Sequence, residues 1–302
     1  MITMRPGTLW ESIETTTEKA LASGALIPIP TNSAFIDDNG IRFAVRVLAG
    51  LRRKAEARKE QDAAEQAGKP ANPFLPPERD LTVAEVSDTH LAVLNKFNVV
   101  ERHLLIVTRD FEEQEALLTA NDFEALAACM VEYKCLGFYN GGAEAGASQR
   151  HKHLQVVPLP LGPDVPTLPT GPLLARAETD SDGLGVLPAF PFCHAFARID
   201  AGIWRSPLTA AEVLKDLYAS LLVRADMQPP APSGLTMQSC PYCLLVDRTW
   251  MLLVPRSREH VLDISFNSLA YAGSLFVYNE ELLERLRAYG PLRAITEAGF
   301  PR

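Results

Sequence analysis

The sequence predicts an α+β fold, an antiparallel β-sheet with helices packed against it and additional elements at both ends. Three observations lead there. The 302 residues are 47% hydrophobic and 22% charged, an ordinary globular composition that excludes disordered, collagen-like and coiled-coil classes. Short β-like runs, HLLIVT above all, stand beside segments of helical spacing near 121–138 and beyond about 278. Finally, NGGAEAGASQRHKHLQVVPLPLG reads as a Gly/Ala/Ser loop running into a β-rich segment, which as a strand puts His151, His153 and Gln155 on one face. At ~150 residues per domain the length suits two units or one elaborated domain, and either buries a sizeable core.

Taken in order, residues 7–23 place Leu9, Ile13 and Leu21 behind an acid-rich first half, so an amphipathic helix closed by Gly24 is expected. The stretch ALIPIPTNSAFIDDNGIRFAVRVL alternates around Pro28 and Pro30 and turns at Asp38-Asn39-Gly40, which predicts short strands and a hairpin. Leu51 to Lys69 is nearly all charged residues, Gln and Ala and reads as a solvated helix or loop, with Arg52-Arg53-Lys54 offering a cation to a phosphate. The segment ANPFLPPERD is an extended connector.

Two β-like runs follow within 81–108, the second from Val99 through Val107. Asn121, with Glu124 three residues on, is expected to cap a helix over 121–138 on which Phe123, Leu126, Ala127, Met130 and Val131 share a face. Gly141-Gly142 would end it. Residues 160–191 are rich in Pro and Gly with an acidic patch at Glu178–Asp182, and read as a surface excursion between two halves. The expected organisation is therefore a region 1–165, a connector 166–192 and a region 193–302. The last holds a helix at 208–225, strands near 243–255 and a helical tail with Leu282, Leu283, Leu286 and Tyr289 at helical spacing.

Several partner classes are excluded at this level. No apolar run approaches the ~20 residues of a membrane span, and MITMRPGTLWESIE lacks the apolar stretch of a secretory signal, so a cytoplasmic address is expected. Five Cys without framework spacing fit a reducing compartment. A net charge of −8 leaves no basic field for nucleic acid, so any anionic ligand must be small and held by local donors.

The chemistry concentrates at NGGAEAGASQRHKHLQVVPLPLG. On a strand, His151, His153 and Gln155 point to one face and Lys152, Leu154 and Val156 to the other. Upstream, Asn140 to Gln149 is built of small residues whose backbone N–H groups can approach an anion, with Ser148 and Gln149 adding side-chain donors. A neutral imidazole whose other nitrogen is hydrogen-bonded can attack phosphorus, and the donors around it would stabilise the charge that grows on the phosphoryl oxygens. Two His at i, i+2 could also ligate a metal or be merely structural, but no third ligand lies nearby in sequence. No metal-binding residue is assigned.

This segment, with LNKFNVVERHLLIVTR before it and TWMLLVPRS and FNSLAYAGSL after it, resembles the ATP adenylyltransferase, or diadenosine tetraphosphate phosphorylase, family of the histidine-triad superfamily. The resemblance runs from GALIPIPT onward and is most specific over residues 95–160. It implies a histidine-triad-like antiparallel sheet and a reversible phosphorolysis of diadenosine tetraphosphate to ATP and ADP through AMP on a histidine. By the same resemblance His153 is the nucleophile, His151 a supporting site histidine, and Gln155 stands where hydrolytic relatives have a third His. An amide can hydrogen-bond phosphate but cannot serve as an acid, which suits a polyphosphate leaving group. Asn140, Gly146, Ala147, Ser148 and Gln149 match nucleotide-phosphate contacts and Asn95-Lys96 a further one, while Lys54 and Asn267 match more loosely. The implied partners are diadenosine tetraphosphate, ATP, ADP and inorganic phosphate, with no organic cofactor, and Mg²⁺ accompanying the nucleotide.

Two other functions are open to such a sequence. Sugar-1-phosphate nucleotidylyltransferases share HxHxQ, and a non-catalytic sensor could hold dinucleotides without turnover. Cys240-Pro241-Tyr242-Cys243 departs from the family pattern and repeats a glutaredoxin active-site string, but LLVDRTWMLLVP after it reads as a β-hairpin, not the helix a redox CxxC opens. His103 is expected on a sheet face, His194 near the site, His90 and His260 in structural or surface positions, and Trp10, Trp204 and Trp250 in the core.

Overall fold

The computed structural model describes residues 1–48, 72–162, 165, 167–229 and 236–302. Lys54 and its basic neighbours lie outside the described residues. Among these, one ten-stranded antiparallel sheet dominates. Its strands are β3 (Thr82–Glu85), β4 (His90–Leu94), β5 (Leu104–Thr108), β6 (Cys135–Gly141) and β7 (His153–Pro158) from the first half. The second half adds β8 (Glu178–Thr179), β9 (Leu184–Val186), β10 (Ala195–Arg198), β11 (Tyr242–Val246) and β12 (Trp250–Pro255). The order is β3-β4-β5-β7-β6-β11-β12-β10-β9-β8, and β6 joins the halves by pairing with β11, Asn140 opposite Cys243.

Each face carries its own core. On one, α2 (Ala120–Met130) and α4 (Pro207–Arg224) bury Phe123, Leu126, Leu214 and Tyr218 against Leu154, Val156 and Leu244. On the other lies a three-stranded sheet of β1 (Thr31–Asp38), β2 (Ile41–Leu48) and β13 (Ser274–Val277), joined by the C-terminal helices α5 (Ser268–Tyr271), α6 (Glu280–Tyr289) and α7 (Pro291–Ala298). There Phe43, Val45, Leu275, Leu286 and Ile295 pack with Phe138, Val157 and Leu245. Burying each such side chain contributes about 1.5–3 kcal/mol, so the sheet that carries the polar strand is fixed from both sides. The N-terminal helix α1 (Leu9–Ser23) ends at Gly24 in the left-handed conformation, and β1 and β2 form the expected hairpin about Asn39-Gly40. No helix among the described residues is long and apolar enough to cross a membrane.

Three elements differ from the sequence expectation. The second helix runs 120–130, not 121–138, and its cap is Thr119 with Asp122, not Asn121 with Glu124. Thr119 Oγ1 accepts from the Asp122 N–H, and Asp122 Oδ2 accepts from the Thr119 N–H and hydroxyl, both at 2.7 Å. Residues 135–141 form a central strand instead, buried at every position. A Cβ on Gly137 would come within 2.9 Å of Leu126 Cδ1, so the helix's Leu126 side chain rests directly on the strand backbone at that point. Strand β5 begins at Leu104 rather than Val99, because Arg102 takes a positive φ of 55° that breaks the extended run. The 160–191 stretch is also more than an excursion: Leu168, Leu174, Leu187 and Phe190 are buried, α3 (Gly171–Leu174) adds a turn, and β8 and β9 extend the sheet edge.

Candidate active site

Strand β7 lies between β5 and β6, and its alternation is the one expected from sequence. Lys152, Leu154 and Val156 face α2, while His153 and Gln155 face the other way. Lys152 is fully buried, with Nζ donating to Asp122 Oδ2 at 2.8 Å, Glu112 Oε2 at 3.1 Å and the Leu117 carbonyl at 3.1 Å. Asp122 also accepts from His90 Nε2 at 3.1 Å. Burial alone would raise the Asp122 carboxyl, but Lys152 and His90 outweigh it and hold it well below the usual carboxylate range. The back of β7 is thereby pinned to the capping box of α2.

The front carries two histidines in different states. His153 Nδ1 donates to the His151 carbonyl at 2.8 Å, which leaves Nε2 as the unprotonated nitrogen, with no partner among the described residues. Burial pushes its pKa down to about 4, against a weaker upward pull from that carbonyl. The ring is therefore neutral at physiological pH. Its backbone N–H donates to Gln114 Oε1 at 2.9 Å, and Gln114 Nε2 donates to the carbonyls of Asn140 and His153. One amide thus ties the strand of His153 to the start of the glycine loop.

His151 has no nitrogen to spare. Nδ1 accepts from Asn72 Nδ2 at 2.9 Å, and Nε2 donates to the Thr108 carbonyl at 2.8 Å with the Thr108 hydroxyl at 2.9 Å. With both of its nitrogens engaged, His151 has no lone pair to join His153 Nε2 in holding a metal. Burial lowers its pKa as well. The ring of Phe74 packs against both histidines, with centroids 5.6 Å from each. The segment expected to be a plain connector therefore supplies Asn72 and Phe74 to the site.

Gln155 continues the row. Its Oε1 accepts from His103 Nε2 at 3.0 Å, and His103 Nδ1 accepts from Asn95 Nδ2 at 3.0 Å. His103 is buried just before β5 and its ring lies 5.7 Å from that of Phe138. Asn95 is thus brought to the site through His103, whereas its neighbour Lys96 sits at the surface paired with Glu78 at 2.9 Å.

The loop between β6 and β7 is held at both ends. Asn140 is buried, and its Oδ1 accepts from the Ser268 N–H at 3.0 Å and hydroxyl at 2.6 Å. Gly146 has φ +90°, and a Cβ there would lie 2.8 Å from Asn267 Cβ, so the loose match Asn267 does stand against the loop. Asn267 also caps α5 by accepting from the Leu269 N–H at 3.0 Å. Ala147 and Gln149 are half-buried, and Ser148 is exposed. Replacing Gly146 by alanine is expected to cost about 1–3 kcal/mol through backbone strain and contact with Asn267. Because the loop must move, nucleotide KM should rise in the same variant; thermal unfolding and initial rates check both.

Other sequence candidates fall away from this row. His194 accepts from the Leu187 N–H and donates to the Phe192 carbonyl amid Phe190 and Phe192, a structural setting. Cys240 and Cys243 lead into strand β11, not a helix, and burial pushes the Cys240 thiol up instead of activating it. Trp250 is buried and Trp10 and Trp204 are half-buried. The residues that sequence reasoning missed are Asn72, Phe74, Thr108 and Gln114, together with the ties that His103 makes.

Residues 1–176 match the family model of the Ap4A phosphorylase N-terminal domain, and residues 188–301 match that of the ATP adenylyltransferase C-terminal domain. The chain is 28% identical over 291 residues to diadenosine 5',5'''-P1,P4-tetraphosphate phosphorylase 2 of Saccharomyces cerevisiae, covering 86% of this chain and 84% of the relative. It is 28% identical over 260 residues to Protein APA1 of the same yeast, covering 76% of each. The crystal structure of yeast Ap4A phosphorylase Apa2 superposes with a TM-score of 0.78 at 23% identity, covering 100% of this chain and 96% of that one, which shows a shared fold. The structure of that enzyme in complex with Ap4A gives a TM-score of 0.75 at 22% identity, covering 100% and 99%. With one family model spanning more than half of its length and the other most of the rest, the chain belongs to the Ap4A phosphorylase/ATP adenylyltransferase family of nucleotidyltransferases.

Proposed function

We propose that the chain carries out reversible phosphorolysis of diadenosine tetraphosphate to ATP and ADP, with AMP held covalently on His153 between the two half-reactions. The observation that carries this reading is the buried His153 ring, bonded at Nδ1 to a carbonyl and unengaged at Nε2. The Nε2 lone pair attacks the phosphorus of one adenylyl group, a P–N bond forms, and the P–O bond to the departing ATP breaks. An oxygen of inorganic phosphate then attacks the same phosphorus, the P–N bond breaks, and ADP leaves. While AMP is attached the ring carries positive charge, and the His151 carbonyl facing Nδ1–H stabilises it. ATP leaves as a polyphosphate anion that needs no proton, consistent with an amide at position 155.

Around this centre we assign phosphate contacts to Gln155, Asn140 and the Gly146-Ala147-Ser148-Gln149 backbone and side chains, with Asn267 bracing the loop. Lys96 and Lys54 remain candidates for the outer phosphates. Mg²⁺ enters on the polyphosphate as part of the substrate. We place the enzyme in the cytoplasm, where its free cysteines stay reduced. With purified chain and diadenosine tetraphosphate, ATP and ADP should appear in equal amounts only when phosphate is added. Phosphate-independent hydrolysis, or no turnover, would overturn the reading.

The low basicity of His153 gives a pH expectation. Single-turnover transfer of AMP to the protein should stay flat from neutral pH to about pH 5, then fall as Nε2 protonates through about 4. A fall centred at the ordinary imidazole value of about 6.5 would contradict it. Stability follows the same groups. His103 and His153 are neutral in the fold down to about 4, so between that value and about 6.5 the unfolded chain binds more protons. The melting temperature should therefore drop as pH falls through this window, each group contributing up to ~1.4 kcal/mol per pH unit.

A further inference from the structure

We propose that His103 is a positioning residue that sets which way the Gln155 amide faces, so that the amide N–H groups, and not its oxygen, meet the phosphate being transferred. The proposal deepens the reading of His153 as the AMP acceptor and rests on it. Asn95 Nδ2 donates to His103 Nδ1 and His103 Nε2 donates to Gln155 Oε1, each at 3.0 Å. A neutral imidazole has one donor and one acceptor, so these two bonds must run in the same direction along the row. Burial keeps the ring neutral, with its pKa down to about 4; a protonated ring could not accept from Asn95.

The consequence lies at the far end of the row. With Oε1 committed to His103, Gln155 Nε2 has no partner among the described residues and stands beside His153 on the same strand face. Both of its N–H groups are then available to an anion. The opposite arrangement would have His103 Nδ1–H donating to Asn95 and Gln155 Nε2 donating to His103. It would turn the lone pairs of Oε1 toward a phosphate, repelling the charge that grows there during transfer. The ring of Phe138, which sits opposite Gln155 in the sheet register, flanks His103 and limits its rotation. Asn95 therefore acts through His103, one step behind the nucleotide.

Two measurements on the full chain test this. In a long-range ¹H–¹⁵N spectrum of the ring nitrogens, assigned by the signal lost in His103→Gln, His103 should carry its proton on Nε2. A proton on Nδ1 would overturn the proposal, whatever the variants do. Kinetically, His103→Leu should lower kcat for phosphorolysis by about 10²-fold, the loss typical of one misaligned oxyanion donor, with less effect on KM. His103→Gln, which restores an N–H donor toward Gln155, should recover most of that rate. In a Gln155→Ala background His103→Leu should cause no further loss. Additive losses, or a Gln variant as slow as Leu with an unchanged melting temperature, would refute the positioning role. The reading beneath it fails separately: parent protein that turns over diadenosine tetraphosphate without ever carrying AMP would overturn both, whereas an intact adduct with the wrong tautomer overturns this proposal alone.

Discussion

Replacing His153 by alanine is expected to reduce diadenosine tetraphosphate phosphorolysis by about 10⁴-fold or more, because the proposed reaction routes the adenylyl phosphorus through its Nε2. His151 cannot substitute, since Asn72 and Thr108 engage both of its nitrogens. Phosphate would have to attack the dinucleotide directly, at an anionic centre, without an intermediate that separates departure of ATP from arrival of phosphate. The fold should survive, because the ties from Gln114 run to the backbone of residue 153 and not to its ring. Dinucleotide affinity, measured by calorimetry, should change far less than kcat. Residual turnover close to the parent's would show that the nucleophile is elsewhere.

The largest stability effect is expected behind the site. Asp122→Ala leaves the fully buried Lys152 ammonium with only the half-exposed Glu112 as a charged partner, and it also removes the acceptor of the α2 capping box. Breaking a buried pair from one side costs about 3–5 kcal/mol, which is a large share of the stability of most domains. Urea unfolding should show that loss, and turnover should fall with it, because β7 is anchored through Lys152. Removing both charges together, as Asp122→Leu with Lys152→Met, should recover much of the stability, since an apolar pair of similar volume carries no desolvation penalty. A single-variant loss no larger than that of a surface substitution would mean that the cluster does not anchor the strand.

The sheet row His151, His153 and Gln155 was legible because a strand has a period of two and these three polar residues are spaced two apart, although Lys152 between them is polar as well and turns to the other face. The antiparallel α+β architecture, the first hairpin and the hairpin that follows Cys243 were legible for the same reason. The strand at 135–141 was not. Where both faces are buried, CLGFYNG has no polar side to reveal its period, so it reads equally as the last turns of a helix. The cap was misplaced because two overlapping patterns compete, Thr119 with Asp122 and Asn121 with Glu124. The first wins through Lys152 and His90, which reach Asp122 from 30 and 32 residues away.

Much of the site's support was hidden in the same manner. Asn72 meets His151 from 79 residues away, His103 meets Gln155 from 52, and Gln114 meets His153 from 39. Nothing in ANPFLPPERD or in the acidic run around Gln114 marks these residues as neighbours of the histidines. Their function arises from sheet order, since β7 is inserted between β5 and β6, and sheet order leaves no local trace in the sequence.

The most direct test of the account is to mix the protein with diadenosine tetraphosphate without phosphate, quench, and locate the adduct by intact-protein and peptide mass spectrometry. One AMP per chain on His153, lost on adding phosphate with release of ADP, is the predicted result. Full phosphorolytic activity with no AMP on the chain, or AMP on any other residue, would contradict it.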